Sequence, residues 1–196
     1  MLIFISFGIL AITMTFPLIL KINSSIAGFF STEEPSIWYV WWLKYSHIHH
    51  IGSSYSNLIA APFGADLSVI EILYPIWIGM KKFLAITFNE FFSYNFEILS
   101  SFILSGFFTY LTLRYLRRSR AASAFSGVIF AFCPYHFARA WQHIGLAHTQ
   151  WLVLFLFAVL KLRDKLNWKN IILAFLSLYL VFAFDLYYAF FSLVIA

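Results

Sequence analysis

Apolar residues occur in long runs along the chain, and short polar segments separate the runs. A helix that crosses the apolar layer of a bilayer needs about 20 such residues. We therefore predict an all-α fold, a polytopic transmembrane helical bundle that forms a single domain over residues 1–196. The spans are expected at residues 1–20, 95–115, 121–137, 146–160 and 170–184, with an incomplete apolar run at 186–196. Because the sequence ends within that run, we expect it to be a fragment of a longer protein.

The first apolar run admits two interpretations. Residues 1–20 carry no charge, whereas a secretory signal peptide begins with a basic region and has a shorter apolar core. The small residues Ser25 and Ala27 would suit a cleavage site, so a removed signal peptide stays open as the alternative. The length of the run and its lack of basic residues favour a retained helix.

Basic residues give the spans a predicted orientation. Eight of the 13 Lys and Arg residues flank two short loops, and cytoplasmic loops carry an excess of such residues. They are Arg114, Arg117, Arg118, Arg120, Lys161, Arg163, Lys165 and Lys169. Spans two and three, and spans four and five, would then form hairpins closed on the inside. Residues 21–94 become an outer loop, and seven of the eight acids fall on the outer side.

The segment Leu67–Phe88 is apolar enough for a short span, but a span there would place the arginine cluster on the outer side of the membrane. It also contains the charged residues Glu71, Lys81 and Lys82, which are costly at the bilayer centre. Pro75 would interrupt a continuous helix. We predict instead an amphipathic helix or a broken pair of helices that lies in the outer interface.

An aromatic helix is predicted early in the outer loop. Pro35 suits a first helical turn, and four aromatic residues follow at the spacing of one helical face. They are Trp38, Trp41, Trp42 and Tyr45. Such in-plane interfacial helices would place Glu33 and Glu34 on the turn before the first of them. The two acids either complement the helix dipole or present a carboxylate that takes a proton or holds a cation.

Imidazole and cationic side chains follow the third span. His136, Arg139 and His143 are spaced to share one helical face. That face would suit a phosphate, or it would be an ordinary solvated surface at the interface. His47 and His49, in the first outer loop, point to different faces of a helix, so a metal site there is not favoured.

Asp185 is the most informative single residue. It follows the fifth span about 22 Å from Asn170, at the outer edge of the apolar layer. An ionisable group at that depth is a functional candidate, and the alternative is a helix break that points the acid to water. Tyr187 and Tyr188 come directly after it.

Composition supports the membrane class and narrows the function. Hydrophobic residues make up 62% and charged residues 11%, and the mean hydropathy is +0.84, which together exclude a typical soluble domain. Cys133 is the single cysteine, so an intrachain disulfide is excluded. The net charge of +5 is explained by the orientation of the spans, and we expect no nucleic acid partner.

The order of the segments resembles the N-terminal part of GT-C-type membrane glycosyltransferases, which use polyprenyl-phosphate sugars, and is closest to uncharacterised bacterial members. The segments that carry the resemblance are Glu34-Pro35 with Trp38, Trp41, Trp42 and His47, then 62–67 (Pro-Phe-Gly-Ala-Asp-Leu), 131–136 (Ala-Phe-Cys-Pro-Tyr-His) with His143, and 185–188 (Asp-Leu-Tyr-Tyr). The resemblance covers nearly the whole chain, and its weight comes from the order of the segments.

The resemblance implies a catalytic acid in the first outer loop. This position is Glu34, where the family usually has Asp. The family acid acts as general base or as a metal-linked activator of the acceptor, and we expect Glu34 to be the base. Asp185 would orient the acceptor or a divalent cation, and no spacing requires such an ion. The substrate-binding residues implied are Glu33, Trp38, Trp41, His136, Arg139, His143, Tyr187 and Tyr188.

The resemblance also implies the surroundings of the protein. The chain would be a multi-pass protein of the bacterial inner (plasma) membrane and would serve the cell envelope. Its partners would be the lipid bilayer, a polyprenyl-phosphate sugar donor and the missing C-terminal part of the same protein. Two rival functions stay open, which are a non-catalytic membrane subunit or degenerate homologue, and a small-solute transporter. A transporter would place its acids near the midplane in repeated halves, and the sequence contains no internal repeat.

Overall fold

The computed structural model describes residues 2–28 and 30–195, and it describes side chains at 2–28 and 36–194. The fold is mostly helical, which confirms the predicted all-α class at that level. The helices are α1 (Leu2–Met14), α2 (Phe30–Ile48), α3 (Ser68–Leu73), α4 (Pro75–Thr87), α5 (Glu90–Tyr115), α6 (Arg120–Ala131), α7 (Pro134–Gln142), α8 (Thr149–Asp164), α9 (Trp168–Phe184) and α10 (Leu186–Ile195). Two 3₁₀ turns cover Leu18–Lys21 and Ile144–Ala147.

One small sheet interrupts the helical pattern within the first predicted outer loop. Strands β1 (Tyr55–Ser56) and β2 (Ala65–Asp66) pair antiparallel, with Tyr55 opposite Asp66. Asp66 also accepts a hydrogen bond from the Ser68 backbone N–H at 2.8 Å. Hydrogen bonding from the Ser68 side chain, and then from its backbone N–H, lowers the pKa of Asp66, and the backbone bond fixes the entry to α3.

Within the described part of the chain, three helical segments are long and apolar enough to cross a membrane, judged by length and composition. They are Glu90–Tyr115, Arg120–Gln142 and Ile144–Asp164. Leu2–Met14 and Trp168–Phe184 are apolar but shorter. Helix α5 lies at the centre of the bundle, because it packs against α1, α4, α6 and α8.

The two predicted hairpin loops lie at the same end of the bundle. The Tyr115 hydroxyl, at the end of α5, donates a hydrogen bond of 2.8 Å to the Asp164 carboxylate at the end of α8. Loops 116–119 and 165–167 are therefore neighbours, and we call this the basic end because both basic clusters flank it. The ends of α6 and α9, and the beginnings of α5 and α8, lie at the opposite end.

Helix α1 packs closely on α5 and α6 through small residues. A Cβ built on Gly106 would lie 2.5 Å from the Phe7 ring, and one built on Gly127 would lie 2.7 Å from the Gly106 carbonyl oxygen. Larger residues at these positions would push the helices apart. Helix α1 ends at Met14 and is shorter than the predicted span of residues 1–20. Pro17 follows the helix, and a proline disfavours helical backbone in the residues directly before it.

Two other boundaries differ from the sequence predictions. Helix α2 begins at Phe30 and not at Pro35, because the residue before a proline is disfavoured in a helix but not barred from it. The predicted span 121–137 divides into α6 and α7, because Pro134 begins a new helix at its first position.

The segment Leu67–Phe88 is a broken pair of helices, as one of the two predicted forms requires. The pair divides at Tyr74, and Pro75 occupies the first turn of α4. Neither α3 nor α4 is among the helices long enough to span a membrane. Helix α4 packs against α2, α5 and α9, which brings it to the end of the bundle opposite the basic end.

Candidate functional site

A cavity of about 610 Å³ opens at the end opposite the basic end. Its residues come from α2, α3, α4, α7, the second 3₁₀ turn, α9 and α10. Polar and aromatic side chains that line it are Ser36, Tyr74, Trp77, Tyr135, Gln142, His143, Asp185 and Tyr187. The other lining residues are Ile70, Ile144, Gly145, Leu146, Phe184 and Phe191. A cavity of this size, with a few polar groups among apolar ones, is typical of a ligand site.

Asp185 supplies the carboxylate of this cavity. It lies between α9 and α10 and is 9% exposed. Its Oδ1 accepts a hydrogen bond of 3.0 Å from the Tyr188 backbone N–H, so it caps α10 in the way that aspartate caps many helices. Burial raises the pKa of Asp185, and the backbone N–H groups of Tyr187 and Tyr188 and the His148 ring oppose that rise. Burial and the charge of Asp185 also raise the pKa of Tyr74, across the same cavity.

The two tyrosines that follow Asp185 have different surroundings. Tyr187 is exposed and lines the cavity. Tyr188 is buried, and its hydroxyl donates a bond of 2.6 Å to the Leu146 carbonyl while lying 3.1 Å from the Tyr135 hydroxyl. Tyr188 therefore holds the cavity wall together and does not line it.

The predicted face of His136, Arg139 and His143 is divided. His136 is fully buried, with Nε2 3.0 Å from the Ser101 hydroxyl and its ring stacked on Phe102 at 4.2 Å. It lines a separate cavity of about 230 Å³. His143 follows the end of α7 with a non-helical backbone (φ −153°, ψ 78°) and lines the 610 Å³ cavity. The three residues do not share a helical face because α7 ends at Gln142.

Arg139 lies beside the cavity. Its guanidinium carbon is 5.2 Å from the ring centroid of Tyr135, a cation–π distance. Tyr135 lines the cavity and Arg139 does not. The guanidinium therefore contacts Tyr135, a residue of the cavity wall, and does not line the cavity itself.

The aromatic face of α2 packs mainly against protein. Trp38 stacks on Trp42 at 6.0 Å, and Trp41 stacks on Tyr45 at 4.9 Å. Trp42 is buried in a cluster with Leu43, Leu67 and Ile78, and Trp38 and Trp41 pack on that cluster half-exposed. Neither Trp38 nor Trp41 lines the cavity, whereas Trp77 of α4 does.

The predicted acids Glu33 and Glu34 lie outside the residues whose side chains are described. Ser36, two residues further along α2, lines the cavity. The other acids of the predicted outer side have partners. Glu71 accepts bonds from Ser53 and Ser54 at 2.5 and 2.7 Å.

Glu90 forms an ion pair of 2.9 Å with Lys44, and Glu97 is itself fully buried in a cluster with Lys81 and His148. Among the described acids of that side, Asp185 alone faces the cavity.

Sequence reasoning missed this buried cluster, which we name the Glu97 cluster. Glu97 and Lys81 form an ion pair and are both fully buried. His148 Nε2 lies 2.6 Å from Glu97 Oε1, and the Trp77 indole N–H donates to the same oxygen. The cluster joins α4, α5 and the beginning of α8. The signal in the sequence was the presence of Glu97 in an apolar run, but its partners lie on other helices.

His148 lies between Gln150 and Glu97. The Gln150 amide nitrogen lies 3.1 Å from His148 Nδ1. Because a carboxylate only accepts hydrogen bonds, Nε2 carries a proton and donates to Glu97 Oε1. The cluster thus pairs one carboxylate with one ammonium and an imidazole N–H, and a buried charge is tolerated only with such pairing.

No group of three or more metal-ligating His, Cys, Asp or Glu side chains occurs among the described residues. Asp185 and His143 line the same cavity, and they would be two ligands at most. No protein-family model, curated protein or solved structure matches this chain.

Proposed function

We propose that the chain is an integral, multi-pass membrane protein whose basic end faces the cytoplasm and whose cavity faces the outer side. The support is the length and apolar character of the three long helical segments. Further support comes from the two basic clusters, which lie at the same end of the bundle, next to the Tyr115–Asp164 hydrogen bond. Helices α2, α3 and α4 would then lie in the outer interface, where their aromatic residues are favoured.

We further propose that the cavity binds a polyprenyl-phosphate sugar and that the protein takes part in glycosyl transfer from it. The observation that carries this proposal is Asp185, a nearly buried carboxylate in a cavity that mixes tyrosine, imidazole and apolar side chains. A lipid-linked sugar needs hydroxyl partners for the sugar and an apolar surface for the chain. The resemblance to GT-C-type enzymes points to the same ligand class.

The transfer would need few protein groups. A carboxylate takes the proton of the acceptor hydroxyl, whose oxygen bonds to C1 of the sugar. The bond from C1 to the phosphate oxygen breaks, and the electron pair leaves with the polyprenyl phosphate. Glu34 is the proposed base, Asp185 would hold the acceptor hydroxyl, and His143 would face the leaving phosphate. General base catalysis contributes about 10²–10⁴-fold to such a step.

The test uses the full chain in lipid nanodiscs with a panel of farnesyl-phosphate hexoses and pentoses. We expect saturable binding of at least one member, with farnesyl phosphate alone binding more weakly. Asp185→Asn should weaken binding about 10-fold, whereas Asp66→Asn, which changes an acid outside the cavity, should leave it within twofold. Equal binding by both variants would contradict the assignment of the cavity. Binding without transfer to any acceptor would favour the non-catalytic subunit.

A further inference from the structure

Trp77 connects the cavity with the Glu97 cluster. The half-buried indole lines the cavity, and its N–H donates to Glu97 Oε1. The Lys81 ammonium lies 4.3 Å from the centroid of the same ring. Glu97 and Lys81 therefore contact Trp77 directly, and neither of them lines the cavity.

Each contact restricts the position of the indole in a different way. The hydrogen bond fixes the edge of the ring that carries Nε1. The ring of Tyr39 stacks against Trp77 at 6.4 Å with an interplanar angle of 11°, and Tyr74 meets it edge-on at 6.1 Å. An aromatic wall held in this way loses little conformational entropy when a ligand binds.

Glu97 is itself held by Lys81 of α4 and by His148, the residue before α8. Lys81 pairs with Oε2, and His148 donates to the Oε1 that Trp77 uses. Phe184, another residue that lines the cavity, meets the His148 ring at 4.8 Å. The cluster thus contacts the cavity wall at two places, through Trp77 and through Phe184.

We propose that Trp77 is a ligand-contacting residue of the cavity and that Glu97 is its positioning residue, through the hydrogen bond to the indole N–H. This inference rests on the proposed function for the ligand class, which is a sugar on a lipid phosphate. Aromatic side chains offer such a ligand a flat apolar surface beside the carboxylate of Asp185. The positioning by Glu97 concerns the protein alone and is measurable without any ligand.

Two double variants differ in whether position 97 keeps an acceptor oxygen. Removing one member of a buried ion pair leaves an unpaired charge and threatens folding, so both variants also carry Lys81→Met. Lys81→Met with Glu97→Gln keeps an oxygen that accepts the indole N–H. Lys81→Met with Glu97→Leu removes that oxygen and keeps a similar volume. The two proteins therefore differ mainly in the acceptor oxygen that Trp77 and His148 share, and a Trp77→Phe background isolates the part that acts through Trp77.

The first measurement is fluorine NMR of protein labelled with 5-fluorotryptophan, in which Trp77→Phe identifies one of the seven resonances. We expect a single sharp Trp77 signal in the wild type and in the Gln double variant. The Leu double variant should show a broadened or split signal. A sharp, unshifted signal in the Leu variant would overturn the positioning role.

The second measurement is the affinity for the farnesyl-phosphate sugar that binds the wild type. We expect a loss of about fivefold in the Leu double variant and less than twofold in the Gln double variant, in line with one hydrogen bond. The loss should vanish in a Trp77→Phe background if Glu97 acts through Trp77. Independent, additive losses would show a purely structural role and would overturn the proposal.

Remaining outcomes are also decisive. Trp77→Phe leaves Glu97 paired with Lys81 and His148, so it should fold even if the double variants do not. Unchanged affinity in Trp77→Phe would overturn the ligand contact. If no lipid-linked sugar binds the wild type while the NMR result holds, the proposed function fails and the positioning role of Glu97 stands.

Discussion

Gly145 lies directly against the carboxylate of Asp185. A Cβ built on Gly145 would stand 3.2 Å from Asp185 Oδ2, closer than ordinary van der Waals contact. Gly145 lines the same cavity, so the absence of a side chain there leaves room for the carboxylate. A glycine of the 3₁₀ turn thus determines access to the acid.

Gly145→Ala should therefore weaken ligand binding without unfolding the protein. The added methyl group requires the Asp185 carboxylate to shift by a few tenths of an ångström, and this shift moves the carboxylate from its present position in the cavity. We expect affinity for the bound farnesyl-phosphate sugar to fall about 10-fold, as measured by titration in nanodiscs. Gly79→Ala is the matched control, because a Cβ there would meet nothing within 4 Å. Equal affinities in the two variants would contradict the assignment of Asp185 to the ligand site.

Much of the helical bundle follows from hydropathy alone. Helices α8 and α9 overlap the predicted runs 146–160 and 170–184 closely, because length and apolar character fix buried or lipid-facing helices. The breaks were harder to place. The sequence signals the division at Pro134, but whether a proline kinks, starts or merely lies within a helix depends on neighbouring segments.

The site was predictable only in part, and for an identifiable physical reason. Asp185 is conspicuous as a single acid within an apolar run, and the structure gives it a cavity. The Glu97 cluster depends on pairing between distant elements, since Glu97 and His148 are 51 residues apart. Periodicity within one helix carries no information about such a pair. His136 and His143 show the opposite case. Their spacing suits one helical face, but α7 ends before His143, so the two side chains do not share a face.

The orientation of the bundle gives a labelling prediction. In a background with Cys133→Ser, cysteine at Leu166, at the exposed basic end, should be shielded from an impermeant thiol reagent in intact cells. Cysteine at Asn57 should be labelled, because residues 21–94 are predicted to lie outside. Both native side chains are exposed, so accessibility does not separate them. Labelling at position 166 from outside would reverse the orientation argued from the basic clusters.

The adjacent acids Glu33 and Glu34 give a paired test of the proposed base. Ser36 lines the cavity two residues after Glu34. Glu34→Gln removes the charge and keeps the size, so we expect transfer to an acceptor to fall about 10²–10⁴-fold. Glu33→Gln should change it less than about threefold. Similar losses at both positions would mean that the acids act through their combined charge.

The last prediction concerns the stability that the Glu97 cluster provides. Glu97→Gln removes the buried partner of Lys81 and leaves the ammonium unpaired. Loss of one member of a buried pair costs about 3–5 kcal/mol, and we expect a loss of that order in the free energy of unfolding. The measurement is a titration with sodium dodecyl sulfate in mixed micelles.

Two further variants make this measurement specific. Glu90→Gln breaks the Lys44–Glu90 pair, whose side chains are 27% and 22% exposed, and should cost less than about 1 kcal/mol because solvent screens such a pair. Lys81→Met added to Glu97→Gln removes the unpaired charge and should restore most of the lost stability. If Lys81→Met brings no recovery, the destabilisation does not come from a buried ammonium. If Glu90→Gln lowers the free energy of unfolding as much as Glu97→Gln does, burial of the Glu97 cluster does not explain the loss of stability.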